Sequence, residues 1–271
     1  MWCLVFGAVT TAWCAAAAAA DVVPDLPIRP ELTGYEQTSS HDDVLSFVRQ
    51  VCAVSSELHP TNFGYSSQGR ALPVVIWHRD GDGEPASVRA ADRTRVLLVA
   101  NVHAGEVCGK EALLQLLRSL ARGEHRAWGD SLVVLIAPIY NADGNERLTL
   151  ERAGQYGPFG GMGQRSNAQG LDLNRDYMKL DTPEAWSLAR LWRLYDPHVA
   201  VDFHTTDGTY MAYHLTYSPP LHPFTYAPVV ELLRGQLLPW VTERVRANHG
   251  WHFYYYGNLP PPYAGNLAWT D

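Results

Sequence analysis

Apolar residues first recur at helical spacing between His41 and Leu58, where Val44, Leu45, Phe47, Val48, Val51 and Cys52 follow the capping candidates Ser39 and Ser40. This pattern predicts a helix lying on a core. Leu72 to His78 is a short apolar run rich in β-branched residues, and Asp80 to Gly83 turns the chain towards a second strand at Arg95 to Val102. These two runs are expected to neighbour each other. Glu106 to Leu120 presents Leu113, Leu114, Leu116, Leu117 and Leu120 on one face and is followed by Gly123, after which Leu132 to Ile139 is again a buried strand. Strand, helix, strand predicts a parallel crossover. From Asn141 to Tyr177 the periodicity vanishes, and a loop this long is usually functional. Order returns with a helix at Pro183 to Leu194, strands at His198 to Phe203 and Tyr210 to Tyr217, a helix at Ala227 to Asn248, and an aromatic, proline-rich close. With no repeat or break in composition, the expectation is one α/β domain from Asp21 to Asp271.

Met1 to Ala20 carries no charge and passes from Leu4, Val5 and Phe6 into an alanine run ending at Ala18 to Ala20. It reads as a signal peptide over residues 1–20, so the protein is expected to be secreted or periplasmic. The apolar part is too short for a membrane span, for which about 20 residues are needed. The chain has 271 residues, 46% of them hydrophobic, enough to bury a large core. Lys and Arg number 21 against 28 Asp and Glu, a net charge of -7 that excludes the basic surplus nucleic-acid binding needs. Four cysteines are too few for a disulfide scaffold, and Cys52 and Cys108 read as a pair or as free thiols.

The sharpest chemical signal is His103-Ala104-Gly105-Glu106, directly after a buried strand and before a helix. Residues leaving the carboxyl end of a strand converge on the crevice above an α/β sheet, and a His and a carboxylate three apart in such a turn can face one ion. His204 also ends a strand, in Asp202-Phe203-His204. If the two strands are near and parallel, His103, Glu106 and His204 make a His₂Glu set with an open position, suited to Zn2+. Within the loop, Asn174 and Arg175 offer an amide and a planar guanidinium that can clamp a carboxylate. Arg165, nine residues before Asn174, is a candidate for holding an oxyanion, and the alternative is a surface salt-bridge cluster with Asp172 and Asp176.

Taken in order, the Gly64 to Arg70 turn, His103 and Glu106, Pro138 to Gly144, Asp172 to Arg175, and Asp202 to His204 resemble the M14 zinc carboxypeptidase family over roughly residues 41 to 217. The resemblance implies a mixed, mostly parallel twisted sheet flanked by helices. It also implies one zinc on His103, Glu106 and His204, and hydrolysis of the last peptide bond of a peptide or protein by a monomer. Asn174 and Arg175 would hold the terminal carboxylate. Arg165 would polarise the scissile carbonyl, its offset being similar to the carboxypeptidase N/E branch; the pancreatic branch places that Arg where this chain has Gly157.

The chain departs from the family at the general base, a Glu on a late strand. After Asp207 the only acids are Glu231, Glu243 and Asp271, and the first two fall on the expected helix. The expectation is therefore a domain lacking a late strand and turning over poorly for want of a base. The alternatives are a zinc deacylase of the aspartoacylase and succinylglutamate desuccinylase type, and a non-catalytic protein that keeps the carboxylate clamp. A serine hydrolase is set aside because no G-x-S-x-G occurs.

Overall fold

In the computed structural model, residues 25–152, 155–206 and 211–256 are described; the expected signal at 1–20, Tyr210 and the chain past Tyr256 lie outside them. After a single turn, α1 (Arg29–Leu32), helix α2 (His41–Ala53) starts where Ser40 and Asp43 exchange backbone and side-chain hydrogen bonds of 3.1 and 3.0 Å. It stops at Ala53, short of Leu58, because Leu58 begins β1 (Leu58–Tyr65). The sequence hides this strand: β1 lies at the sheet edge and buries only Leu58 and Phe63, so it lacks the alternation that marks a half-buried strand. Strand β2 (Ala71–Trp77) and helix α3 (Pro85–Ala90) follow, then β3 (Thr94–Ala100), helix α4 (Val107–Ala121) and strand β4 (Leu132–Ala137). The long loop contains α5 (Ala142–Asn145), the two-residue strands β5 (Glu151–Arg152) and β6 (Gln155–Tyr156), and a 3₁₀ turn at Leu173–Arg175. Helix α6 (Pro183–Tyr195) and strand β7 (Val199–Phe203) come next.

The central sheet has the order β1-β2-β4-β3-β7, with β1, β4, β3 and β7 running one way and β2 opposing them. This is the mixed, mostly parallel α/β sheet expected. One detail differs: β2 and β3 are not neighbours, because β4 returns from the crossover helix α4 and pairs with both. Burial follows position. Six of the seven residues of β2 and five of the six of β4 are buried, whereas β7 at the other edge has none fully buried. Helices α2 and α4 pack on each other, α6 packs on β1 and α3, and Val44, Val51, Leu114 and Leu117 enter the core beneath them.

Among the described residues, 25–152 and 157–205 form one compact unit, while 155–156, 206 and 211–256 form another. In the second, β8 (Leu215–Tyr217) pairs in parallel with β9 (Phe253–Tyr255), and Tyr217 meets Phe253 and Tyr255 edge-on at 4.8 Å between ring centres. The single helix expected over Ala227 to Asn248 is instead α7 (Ala227–Val230), a π-helical segment Glu231–Leu237 and α8 (Leu238–His249). Pro239, which has no N–H to donate, stands two residues past the π segment. Among the described residues no helix is long and apolar enough to cross a membrane, and Cys52 and Cys108 are free thiols.

Beneath the start of α4 lies a fully buried Lys110, whose ammonium donates to the Ser39 carbonyl and, at 2.6 Å, to Asn145 Oδ1, with Glu111 Oε1 3.6 Å away. Burial pushes its pKa from 10.5 down to about 8, against the pull of Glu111 and Glu146. Between those two values the unfolded chain binds a proton that the folded chain does not, so on this account stability rises with pH across that window. The stability advantage of wild type over Lys110→Met is expected to grow by about 2 kcal/mol between pH 7.5 and 10, read by urea unfolding of both proteins. A constant gap would mean that the ammonium is not desolvated as described.

Candidate metal centre

Strand β3 ends at Ala100, and Asn101 then takes a left-handed conformation, φ 64°, which Asn tolerates better than most residues. Its side-chain amide donates to the Ala104 carbonyl at 3.2 Å, closing a tight turn that carries His103. Glu106 caps α4, its N–H donating to the His103 carbonyl at 2.9 Å. On the adjacent strand, Ala100 pairs with Phe203, so His204 leaves β7 beside the turn that follows β3. Two residues into α4, Gly109 lets the helix approach the strand ends: a Cβ there would stand 2.6 Å from Phe203 Cβ and 3.2 Å from Ala100 Cβ.

This arrangement brings His103, Glu106 and His204 together, with one ligand atom from each within 4.8 Å of the others. His103 Nδ1 lies 2.9 Å from Glu106 Oε1, and His204 Nδ1 lies 2.9 Å from Oε2. The two imidazoles meet edge-to-face, 4.9 Å between centres. Each turns its other nitrogen to an aspartate: His103 Nε2 to Asp172 Oδ1 at 3.1 Å, His204 Nε2 to Asp202 Oδ2 at 3.0 Å. When those aspartates hold the Nε2 protons, both Nδ1 lone pairs face carboxylate oxygens, an arrangement that demands a proton or a cation between them. The donor set therefore fits a divalent metal ion.

Electrostatics agree. Burial pushes the Glu106 carboxyl up, but the His103 and His204 hydrogen bonds outweigh it and hold the group at about 2. For His204 burial favours the neutral ring, yet Asp202 and Glu106 raise its pKa to about 10. Asp172 is likewise pushed up by burial and drawn below the usual carboxylate range by His103 and Arg165.

Arg165 reaches the same place. Its Nε donates to Asp172 Oδ2 at 2.9 Å while Nη1 stands 3.4 Å from His103 Nδ1. The salt bridge with Asp172 considered from sequence is thus present, and it aims the guanidinium at the cluster. Asp176 is no part of it; its carboxylate accepts from Asp181 N, Thr182 N and Thr182 Oγ1 ahead of α6. The loop is fixed by the fully buried Asn141, whose amide donates to the Arg165 carbonyl at 3.0 Å and whose Oδ1 accepts from Gly144 N. Asn174 and Arg175 lie on the 3₁₀ turn capped by Asp172, half-buried and exposed respectively. Asp172 Oδ1 accepts from Asn174 N at 2.9 Å, and Arg175 Nη1 donates to the Asn174 carbonyl at 3.3 Å. Their side chains are not drawn into the cluster by these contacts.

Sequence reasoning passed over the parts played by Asn141, Asp202 and Tyr177, whose hydroxyl donates to Asp202 Oδ2 at 2.9 Å. For Asp202 a signal exists, since residues two apart along a strand share a face.

A family model, Peptidase M14, zinc carboxypeptidase, matches residues 44–198. The chain belongs to the zinc carboxypeptidase family. The match takes in every sequence-predicted site residue except His204, just beyond its end. Carboxypeptidase 2 of Trichophyton equinum is 27% identical over 164 residues, 58% of this chain and 27% of that one. Carboxypeptidase Z of Homo sapiens is 32% identical over 150 residues, 53% of this chain and 22% of that one. These matches therefore span about a quarter of the relatives' length. Among solved structures, a metallo-carboxypeptidase from Pseudomonas aeruginosa gives a TM-score of 0.58 at 19% identity, covering 85% of this chain and 54% of that one. Thrombin activatable fibrinolysis inhibitor gives 0.61 at 14%, covering 82% and 60%. Both similarities concern the fold.

Next to this centre the chain runs unusually close to itself at Gly163: a Cβ there would lie 2.7 Å from the Gly144 carbonyl oxygen and 2.9 Å from both Ala104 Cβ and O. Gly163→Ala is expected to lower stability by about 1–3 kcal/mol, measured by denaturant unfolding.

Proposed function

We propose that this protein is a zinc-dependent metallocarboxypeptidase, hydrolysing the C-terminal peptide bond of peptides or proteins with one Zn2+ on His103, Glu106 and His204. The observation that carries the reading is the convergence of both histidine Nδ1 atoms on the two oxygens of Glu106, with Arg165 Nη1 3.4 Å from His103 Nδ1. Three protein ligands of this type leave a coordination position open, the pattern of catalytic rather than structural zinc. When bound, the ion supplies a Lewis acid that activates water and polarises a carbonyl.

The chain's own residues have separate tasks. Glu106, kept ionised, and the two imidazoles provide the charge and lone pairs that hold the ion. Asp172 and Asp202 keep the Nε2 protons in place, so Nδ1 remains the donor atom. Arg165 offers hydrogen bonds and positive charge to the oxygen on which charge accumulates as the carbonyl is attacked. Asn174 and Arg175 receive the terminal carboxylate, the guanidinium by a planar, two-pronged contact. We place the protein outside the cytoplasm, secreted or periplasmic, on the charge-free run ending at Ala18 to Ala20.

The test uses the purified chain, measured for zinc content and for products from peptides with free or amidated C-termini and from N-acyl amino acids. One zinc per chain is expected, with slow release of single C-terminal residues from free-ended peptides only, because no general base is assigned. Activity should vanish on chelation and return with zinc. His103→Ala should lose the metal, and Arg165→Ala should keep it while lowering kcat about 10²–10³-fold. Zinc and peptide binding without turnover would favour the non-catalytic alternative, and acyl-group release the deacylase. A chain that takes up no zinc would overturn the reading.

A further inference from the structure

The two aspartates behind the histidines are held differently. Asp172 faces His103 Nε2 directly from the 3₁₀ turn, and it also accepts from Arg165 Nε and Asn174 N. Asp202 faces His204 Nε2 from strand β7, and the same oxygen, Oδ2, accepts the Tyr177 hydroxyl at 2.9 Å. Tyr177 is two residues past that turn, so the six residues 172–177 reach both histidines, one through Asp172 and the other through Tyr177 and Asp202. Asp202 is one-third exposed and His204 is at 29%, so without a second donor this carboxylate could turn to water and release the ring. The hydroxyl supplies that donor.

We propose that Tyr177 and Asp202 are positioning residues for His204: Tyr177 fixes the carboxylate rotamer, the carboxylate holds the Nε2 proton, and Nδ1 is thereby kept as the metal-binding atom. Segment 172–177 thus sets the tautomer of both histidines while carrying Asn174 and Arg175. This inference rests on the zinc reading above. The effect is on metal retention first and on turnover only through it, because neither side chain is assigned a contact with substrate.

The experiment measures zinc affinity by competition with a chromophoric chelator, together with the ¹⁵N chemical shifts of the His204 ring and the melting temperature of the metal-free protein. Asp202→Asn is expected to weaken zinc binding 10–100-fold and Tyr177→Phe about tenfold, with the His204 Nε2–H signal of the zinc-loaded protein losing the shift that its carboxylate partner confers. Because Tyr177 acts through Asp202, the double variant should bind zinc no more weakly than Asp202→Asn alone. Metal-free melting should stay near wild type in Tyr177→Phe, separating positioning from a general loss of packing. If wild type binds zinc while both single variants bind it equally well, or if their losses multiply in the double variant, the positioning role is wrong and the metal centre stands. If wild type itself binds no zinc, the metal reading and this inference fail together.

Discussion

The site depends above all on the parallel pairing of β3 with β7. Their register is set at the end far from the metal centre, where Arg95 and His198 interlock. Arg95 N donates to His198 Nδ1 at 3.0 Å, and His198 N donates to the Arg95 carbonyl at 2.9 Å. The Arg95 side chain also holds the Asp196 carbonyl and carboxylate, at 2.7 and 3.0 Å. From there the strands run together to Ala100 and Phe203, so the residues that leave them emerge side by side. A slip of one residue would turn Asp202 to the other face and carry His204 away from Glu106.

Glu106 is the centre on which that geometry closes. It is 4% exposed and accepts from Thr205 N at 2.9 Å besides facing both imidazoles. Burying a carboxylate is costly unless charge and hydrogen bonds compensate, and here two histidines and a backbone donor do so. Each imidazole is in turn backed by an aspartate, so each ring is fixed by a hydrogen-bonding partner on both of its nitrogens. The same logic, opposite in sign, appears at Lys110 a turn further along α4, where a buried ammonium is met by a carbonyl, an amide and Glu111.

The irregular loop owes its shape to backbone capture. Asn141 bonds the Val102 and Arg165 carbonyls and the Gly144 amide; Gln164 N donates to the Gly144 carbonyl, and Ala104 N donates to the Gln164 carbonyl. Gly163 is the residue without a side chain that permits this crowding. Arg165 is therefore placed through the backbone of Gln164 and its own carbonyl, and the salt bridge to Asp172 turns its guanidinium to His103. An arginine held in this way loses little further freedom when it engages an oxyanion.

Much of this was legible in the sequence. Continuous apolar runs marked β2, β3 and β4 because strands buried on both faces need no polar positions, and helical periodicity marked α2, α4 and α6. Three site residues stood out because His103 and Glu106 follow the apolar β3 run and His204 ends another strand, where side chains converge on the crevice above an α/β sheet, and the ordered motifs joined them to Arg165, Asn174 and Arg175. What the sequence could not reveal depends on partners distant along the chain. The edge strand β1 forms because β2 offers it a ladder, not because its own residues alternate. The placing of β4 between β2 and β3 is a choice of pairing to which local pattern is blind. The contact of Tyr177 with Asp202 joins residues 25 apart, and Arg165 reaches His103 across 62. Residue type and local spacing thus determined the elements and the chemistry available, while strand order and loop closure decided which groups meet, because hydrogen bonding and charge act over a few ångströms of space whatever the separation in sequence.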